Sequence, residues 1–167
     1  MITRPFEPED AEFCFKTRAE AYIVKFRDEL EPEIIAECVN AFMPDDYVQM
    51  AGKQPFFIVT EEDERMAFFT FKQLNIRSAE LPLLFVKLTQ LKRGIGKYCI
   101  QFMDEWIVAH WPEAQELIVD TIIPKYNSGF YESVGFVQKG EAFCHFPNRK
   151  VRALRMIKPL NAAGESG

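Results

Sequence analysis

The sequence lacks long apolar runs and has no excess of positive charge. A transmembrane helix needs about 20 consecutive apolar residues, and no run in this 167-residue chain reaches that length. Nucleic-acid-binding domains usually have a basic surface that contacts phosphates. Here 20 Lys and Arg stand against 25 Asp and Glu, a formal net charge of -5. We therefore expect no membrane span and no general nucleic-acid-binding surface.

Cysteine and histidine are scarce, and their positions do not suggest a metal or redox site. The cysteines are far apart, without CxxC spacing, and three of them fall among apolar residues of predicted elements; they are Cys14, Cys38, Cys99 and Cys144. His110 and His145 have no Cys, His or carboxylate at metal-ligand spacing. We predict reduced, buried thiols and no metal. The N-terminus has no basic segment followed by an apolar one, so the expected location is the cytoplasm.

The two well-known phosphate loops, GxGxxG and GxxxxGK followed by Ser or Thr, are also missing. A different glycine loop is present. An apolar run at 83–86 leads into a basic turn with Gly94 and Gly96, and then into an amphipathic helix. At such a junction several backbone N–H groups are unpaired and the helix macrodipole adds about half a positive charge, which suits a phosphate group. The alternative is that Gly94 only starts a tight turn and that the nearby cations are solvated.

Hydrophobic periodicity predicts a single domain over 1–160, with a short polar tail at 161–167 that we expect to be disordered. Strands are predicted at 2–5, 56–60, 66–73, 80–86, 117–123, 136–146 and 151–157. Helices are predicted from the acidic segment at 7–10 to about 26, from 32 to about 42, after Gly96 to an end at 111–112, and over 126–134. Residues 45–54 are interpreted as a loop. The order is one strand, two helices, three strands, a helix, a strand, a helix and two strands.

A second motif follows the glycine loop, FYESVGF at 130–136. It combines an aromatic pair, an acid, a glycine and a further aromatic at fixed spacing; alone, it also fits a helix that packs its aromatics and ends at a C′ glycine. Together with the element order and the glycine loop, it resembles the Gcn5-related N-acetyltransferase (GNAT) superfamily over nearly the whole chain. The resemblance implies an α/β fold: a mixed, mostly antiparallel twisted sheet of about seven strands with about four helices, splayed between strands 4 and 5.

The resemblance also implies where acetyl-CoA binds. The family loop reads Gln or Arg, two variable residues, Gly, one variable residue, then Gly or Ala; here both glycines match, Leu91 does not, and Gln90 is one residue away. Backbone amides of the loop are expected to hold the diphosphate, and exposed backbone of the fourth strand to pair with pantetheine. The predicted cofactor-binding residues are Leu84, Val86, Leu88, Leu91, Lys92, Arg93, Gly94, Ile95, Gly96, Lys97 and Asn127. Asn127 stands where the family has an alanine, and either makes a polar contact or caps the short helix.

The implied reaction is direct transfer of an acetyl group from acetyl-CoA to an amine in a ternary complex. Tyr131 matches the family's general acid, and a phenol with a reference pKa near 10 is protonated at neutral pH. Glu80 stands at a distance from the loop similar to that of the glutamate base in the histone-acetylating branch. Alternatively, Glu80 is a solvated residue at the start of the strand. Pro82 would mark the outer limit of that strand, because it lacks an N–H.

The acceptor is open at this stage. A polyamine-type small molecule and a peptide or protein amine both fit an acidic protein, and side chains expected to line the acceptor site are Tyr22, Phe26, Phe143 and His145. The first alternative function is a non-catalytic acyl-CoA-binding sensor or assembly module, favoured by Leu91 and the displaced Asn and opposed by Tyr131 and Glu80. The second is a purely structural α/β domain. Many relatives form dimers, so a homodimer is a further expectation.

Overall fold

The computed structural model of the protein describes residues 1–122 and 128–160, which contain seven strands and five α-helices. The strands are β1 (Ile2–Pro5), β2 (Phe56–Glu61), β3 (Glu64–Asn75), β4 (Ser78–Val86), β5 (Glu116–Ile122), β6 (Val137–Phe146) and β7 (Arg149–Pro159). The helices are α1 (Ala11–Glu20), α2 (Pro32–Asn40), α3 (Pro44–Ala51), α4 (Ile95–His110) and α5 (Ser128–Ser133). Shorter turns of helix are a 3₁₀ turn at Pro8–Asp10, a π turn at Ala21–Lys25 and a 3₁₀ turn at Leu88–Gln90.

All seven strands belong to one sheet with the order β1-β2-β3-β4-β5-β7-β6. The pairs β1/β2, β2/β3 and β5/β7 are antiparallel, whereas β4 and β5 are parallel. The predicted mixed sheet and its strand order along the chain are therefore confirmed. The structure adds one helix, α3, to the four that were expected.

Internal contacts divide the chain into two compact units. The first comprises 1–70, 83–96 and 145–149, and the second comprises the described parts of 71–82, 97–144 and 150–167. A single domain over 1–160 remains a prediction. The expected disordered tail, 161–167, lies outside the described residues.

The core of the first unit is an aromatic cluster on β2, β3 and β4. Phe68 stacks on Phe56 and on Phe85, with ring centroids 5.9 Å and 5.7 Å apart. Cys14 of α1 and Tyr47 of α3 close over the same cluster, and both side chains are fully buried. Each fully buried large side chain contributes about 1.5–3 kcal/mol relative to exposure, so this cluster fixes the helices on the sheet.

Helix α3 corrects the prediction of a loop at 45–54. Pro44 occupies its first turn and the Asp46 carboxylate accepts a hydrogen bond of 2.7 Å from the backbone N–H of Met43. Pro44 was interpreted as the end of the preceding helix, but proline also suits the first helical position, where its missing N–H has no partner to lose. One buried aromatic, Tyr47, anchors this helix in place of a repeating apolar stripe.

The first helix also differs from its prediction. It was expected to run unbroken to about residue 26, but α1 ends at Glu20 and the chain continues as a π turn. The Phe26 N–H bonds the carbonyl of Ala21 at 3.2 Å, the wider spacing of a π helix. This turn sets the direction of Tyr22, which is 8% exposed.

In the second unit, the predicted stripe of α4 is buried as expected at Cys99, Met103 and Ile107. Phe71 of β3 packs its ring edge on Trp106 at a centroid distance of 5.1 Å. An ion pair between Lys158 of β7 and Asp104 joins this helix to the sheet. The helix that follows the glycine loop is therefore held firmly along its length.

The thiol prediction holds for three of the four cysteines. Cys14, Cys38 and Cys99 are fully buried, Cys144 is partly buried, and none of the four forms a disulfide within the described residues. Burial raises the pKa of Cys38 to about 11 and that of Cys99 to about 12, so both remain protonated at neutral pH. Over residues 1–122 and 128–160, no helix combines the length and apolar character needed to cross a bilayer.

Candidate functional site

The parallel ladder between β4 and β5 is short. It comprises three pairs, with Ser78 to Glu80 opposite Glu116 to Ile118, although β4 continues to Val86 and β5 to Ile122. Pro82, which has no N–H to donate, lies two residues beyond the last pair. The expected splay of strands 4 and 5 thus begins after Glu80. Pro82 does not end the strand, however: β4 passes through it, and only the ladder stops.

Beyond Pro82, the side chains of β4 alternate between two environments. Leu83 is buried in the aromatic core of the first unit, whereas Leu84 and Val86 are half-buried, as is Leu88 in the turn that follows. The Lys87 N–H bonds the carbonyl of Met66 at 2.9 Å and fixes the end of the strand on β3. The predicted pairing of this backbone with pantetheine stays a prediction.

The glycine loop has the backbone shape that a close ligand requires. Gly94 has φ +79°, and a Cβ placed on it would meet no atom within 4 Å, so the space beside it is open. Lys92 has φ +64°, an unusual conformation for a lysine. Gly96 does not have a positive φ, because α4 begins at Ile95 and Gly96 is already helical. At Gly96, only the absence of a side chain helps a ligand to approach the backbone closely.

The cations of this loop differ in how they are neutralised. Arg93 donates to Glu61 at 2.8 Å and to the side-chain oxygen of Gln90. Neither Lys92 nor Lys97 forms an ion pair with any described residue, and the first turn of α4 contains no acid. The start of α4 therefore keeps its positive character. Gln90, which lies one residue before Leu91, accepts a hydrogen bond from Arg93.

Leu91 itself leaves an apolar side chain 37% exposed at the position where the family pattern has Gln or Arg. It cannot contact an anion through its side chain. Its backbone N–H is directed to Leu88 at 3.5 Å, a weak bond. Any anion bound here depends on main-chain groups further along the loop.

The FYESVGF segment is explained in large part by its own packing. Tyr131 is 6% exposed, and its ring lies 5.1 Å from that of Phe130 and 5.2 Å from that of Phe136. Gly135 has φ +101°, and a Cβ there would lie 3.2 Å from the Cε atom of Lys158. Glu132 accepts from the Gln138 amide at 2.7 Å. The motif therefore positions the phenol of Tyr131 rigidly, whatever else that phenol does.

Glu80 is half-buried, with its side chain 28% exposed and its Oε1 atom 3.8 Å from the Nζ atom of Lys72. Arg155, which pairs in bidentate fashion with Asp120 at 2.9 Å, also feels the charge of Glu80. Lys72 and Arg155 thus surround Glu80 with positive charge.

The remaining predicted residues are placed as follows. Tyr22 and Phe26 are buried in the first unit, whereas Phe143 is 38% exposed and His145 is exposed. His110 stacks on Trp106 at 4.0 Å and shares a 2.8 Å hydrogen bond with its carbonyl. Asn127 lies outside the described residues. In the described part of the chain, no three His, Cys, Asp or Glu side chains are grouped as metal ligands.

Sequence analysis missed one feature of the first unit. Arg18 lies on the buried side of α1, one helical turn from both Cys14 and Tyr22, and is only 4% exposed. The spacing of 14, 18 and 22 would have revealed a charge on an apolar face.

No protein-family model and no curated protein matches the sequence. Solved structures match it over almost all of its length. A GCN5-related N-acetyltransferase from Rhodopseudomonas palustris has a TM-score of 0.82 at 19% identity, over 95% of both chains. The PaiA N-acetyltransferase of Thermoplasma acidophilum, in complex with coenzyme A, has a TM-score of 0.80 at 15% identity, over 95% of this chain and 98% of its own. YncA of Salmonella typhimurium, a putative acetyltransferase with acetyl-CoA, has a TM-score of 0.71 at 12% identity, over 100% of this chain and 99% of its own. The chain therefore has the fold of the GCN5-related N-acetyltransferases.

Proposed function

We propose that this protein is an N-acetyltransferase that moves the acetyl group of acetyl-CoA directly to a primary amine. The observation that carries the proposal is the glycine loop, where Gly94 adopts a positive φ beside open space and leads into a helix start without acids. Two solved structures with this fold are complexes with coenzyme A or acetyl-CoA. Since one fold can serve several functions, the loop and not the fold is the reason for the assignment.

The diphosphate of acetyl-CoA would be held by the backbone amides from Arg93 to Lys97. Amides at a helix start point outward and carry partial positive charge, so they bind anions without a charged side chain. Lys92 and Lys97 add two cations that no described residue neutralises. This arrangement accounts for the apolar Leu91, because the family's leading side chain is not needed when main-chain groups do the binding.

The pantetheine arm would lie along the backbone of β4 at Leu84 and Val86, and at Leu88 in the turn that follows. These residues follow the point where the ladder to β5 stops, so their N–H and C=O groups on that side have no partner in the ladder. An extended ligand with amide groups can pair there as a further strand would. Their side chains would serve packing only.

In the reaction, the neutral amine would attack the thioester carbonyl carbon, a C–N bond would form and the C–S bond would break. Tyr131 would donate its phenolic proton to the departing sulfur, and the proton lost by the amine would pass to Glu80, through water. The acceptor would be a small amine, such as a polyamine, or an amine of a peptide or protein.

Thermal unfolding with and without acetyl-CoA tests the binding step. A ligand at 100 times its dissociation constant adds about 2.7 kcal/mol, which raises the Tm of a chain of this size by about 5–11 °C. Release of free thiol across a panel of amines then tests transfer. A Tm shift without thiol release for any amine would favour the non-catalytic sensor, to which the exposed apolar Leu91 also points; no shift would contradict both.

A further inference from the structure

The first unit contains a buried guanidinium without an anion. Arg18 is 4% exposed; one of its terminal nitrogens donates to the carbonyl of Cys38, and its Nε atom is buried with no hydrogen-bond partner. No carboxylate of the described residues forms an ion pair with it. A buried charge without a counter-ion is costly, and an anion bound beside it would offset that cost.

Aromatic rings surround this guanidinium. Its central carbon lies 4.9 Å from the ring centroids of both Tyr22 and Phe42, and 5.8 Å from that of Phe85. Ring faces attract a cation, but they cannot accept the in-plane N–H bonds that a carboxylate accepts. Phe42 and Phe85 are only half-buried, so the rings that cover Arg18 also reach the surface.

A second polar group in the same place lacks a partner. The hydroxyl of Tyr47, a fully buried residue, makes no hydrogen bond. Burial raises the pKa of Tyr47, whereas the charge of Arg18 and the closeness of its N–H groups to the phenol oxygen act in the opposite direction, so the hydroxyl remains protonated at neutral pH. The Nε–H of Arg18 and the O–H of Tyr47 are thus two buried donors without a hydrogen-bond acceptor, an arrangement that an anionic group would complete.

These groups lie beside the part of β4 that we assign to the pantetheine arm. The Tyr22 ring contacts Arg18 and is also 6.1 Å from the ring of Phe85. Phe85 stands between Leu84 and Val86 in the sequence, and all of these residues belong to the first unit. The π turn that directs Tyr22 begins three residues after Arg18, and such turns often occur at functional sites.

We propose that Arg18 and Tyr47 bind the carboxylate of the acceptor, which is therefore an α-amino acid with an apolar side chain. The inference rests on the proposed transfer function and narrows its substrate class. The aromatic rings provide apolar contacts for the side chain, while the guanidinium fixes the carboxylate and leaves the amino group to meet the acetyl group. Polyamines carry only positive charge and would be repelled by Arg18.

Calorimetric titration of the protein–CoA complex tests the inference without depending on turnover. L-leucine, L-phenylalanine and L-methionine are each compared with the corresponding carboxamide. A charge-assisted hydrogen-bonded pair corresponds to about 10- to 150-fold in affinity, so each acid that binds should bind more tightly than its amide by that factor. Equal affinities, or no binding of any acid, would overturn the inference.

A thiol-release assay with the same acceptors distinguishes a failure of the role of Arg18 from a failure of the proposed transfer function. If amines without a carboxylate are acetylated as well as the acids are, transfer stands and the role of Arg18 falls. If acetyl-CoA neither stabilises the protein nor releases thiol with any amine, the proposed function itself falls. Selective acetylation of the acids would support both.

The variants Arg18→Met and Arg18→Lys provide the decisive contrast. Met matches the shape of the side chain without its charge, so the preference for the acid should vanish and the KM for the acid should rise toward that of the amide. The Tm without ligand should stay equal or increase, because an unpaired buried charge is removed. Lys should keep part of the preference, and the affinity for CoA should be unchanged in both variants.

Arg4→Met is the matched control, because Arg4 has a buried partner in Asp10 at 2.8 Å. Its Tm should fall while the preference for the acid remains. A lower Tm for Arg18→Met with an unaltered preference would make Arg18 structural. A loss of CoA affinity in that variant would assign the anion to the coenzyme, and either result overturns the inference.

Discussion

Two buried charges in the first unit are treated in opposite ways by the fold. Asp10, 0% exposed, accepts from Arg4 at 2.8 Å and 2.9 Å, from Arg65 at 2.6 Å and from the Glu7 N–H at 2.8 Å. Arg18, 4% exposed, has one carbonyl acceptor and no carboxylate among the described residues. Buried polar groups in native proteins are normally paired. The completed charge therefore belongs to the structure, and the incomplete one indicates a ligand.

The same contrast separates the two sequence motifs. In FYESVGF the aromatic residues, the acid and the glycine each have a contact within the fold. In the glycine loop, Gly94 faces open space and Lys92 has no ion pair with a described residue. The residues of FYESVGF are explained by packing within the fold, whereas the glycine loop has the shape of a ligand-binding site.

The largest expected effect concerns the one group of the packed motif that we assign to chemistry. Tyr131→Phe keeps the ring and its contacts but removes the proton donor. Turnover should fall by about 10²- to 10⁴-fold, the usual contribution of a general acid. The Tm shift produced by acetyl-CoA should be nearly unchanged, and a normal rate would remove Tyr131 from the mechanism.

Removing the completed charge should cost stability. Asp10→Ala leaves Arg4 and Arg65 without their shared carboxylate and should lower the free energy of unfolding by about 3 kcal/mol, since both arginines can reach water. That corresponds to about 6–12 °C in Tm. Urea unfolding measures the difference in the free energy of unfolding directly. A decrease as small as that caused by removing an exposed ion pair would contradict the distinction between Asp10 and Arg18.

Substitution of two glycines, Gly94 and Gly140, distinguishes backbone strain from loss of ligand binding. Gly94 and Gly140 both have a positive φ and open space around a Cβ, and only Gly94 lies at the start of a helix. Valine at either position should strain the backbone by about 1–3 kcal/mol. Only Gly94→Val should also weaken CoA binding, by tenfold or more, because its side chain would occupy the space of the diphosphate. Equal CoA affinities of the two variants by calorimetry would argue against the loop.

The smallest effect is a pH dependence. Although burial acts to raise it, hydrogen bonds from Arg4, Arg65 and the Glu7 N–H lower the pKa of Asp10 to about 2 from 3.8. The Asp10 carboxylate thus binds a proton less readily in the folded state than in the unfolded state. Its contribution to the free energy of unfolding is complete above about pH 4 and is lost as pH falls toward 2. Asp10→Asn should flatten this part of the stability profile, and an unchanged slope would place the titration elsewhere.

Much of the fold could be predicted because its strands and helices repeat apolar residues at clear periods. The hairpin of β2 and β3, the buried face of α4 and the glycine loop followed from such patterns. Helix α3 did not, because one buried tyrosine and a capping aspartate replace the periodic stripe. The conformation of Lys92 and the π turn depend on tertiary contacts that no local pattern encodes. Arg18 could not be predicted as a binding residue for the same reason. A charge among apolar residues indicates a ligand site only when the groups around it are known.

Backbone amide NMR during a titration with coenzyme A tests the central claim most directly. The account predicts that the amide signals of Arg93 to Lys97 move most, with saturation at the dissociation constant found by calorimetry, and that Gly94→Val abolishes these changes. Binding of coenzyme A with the loop amides unmoved would contradict the assignment of the diphosphate to the start of α4.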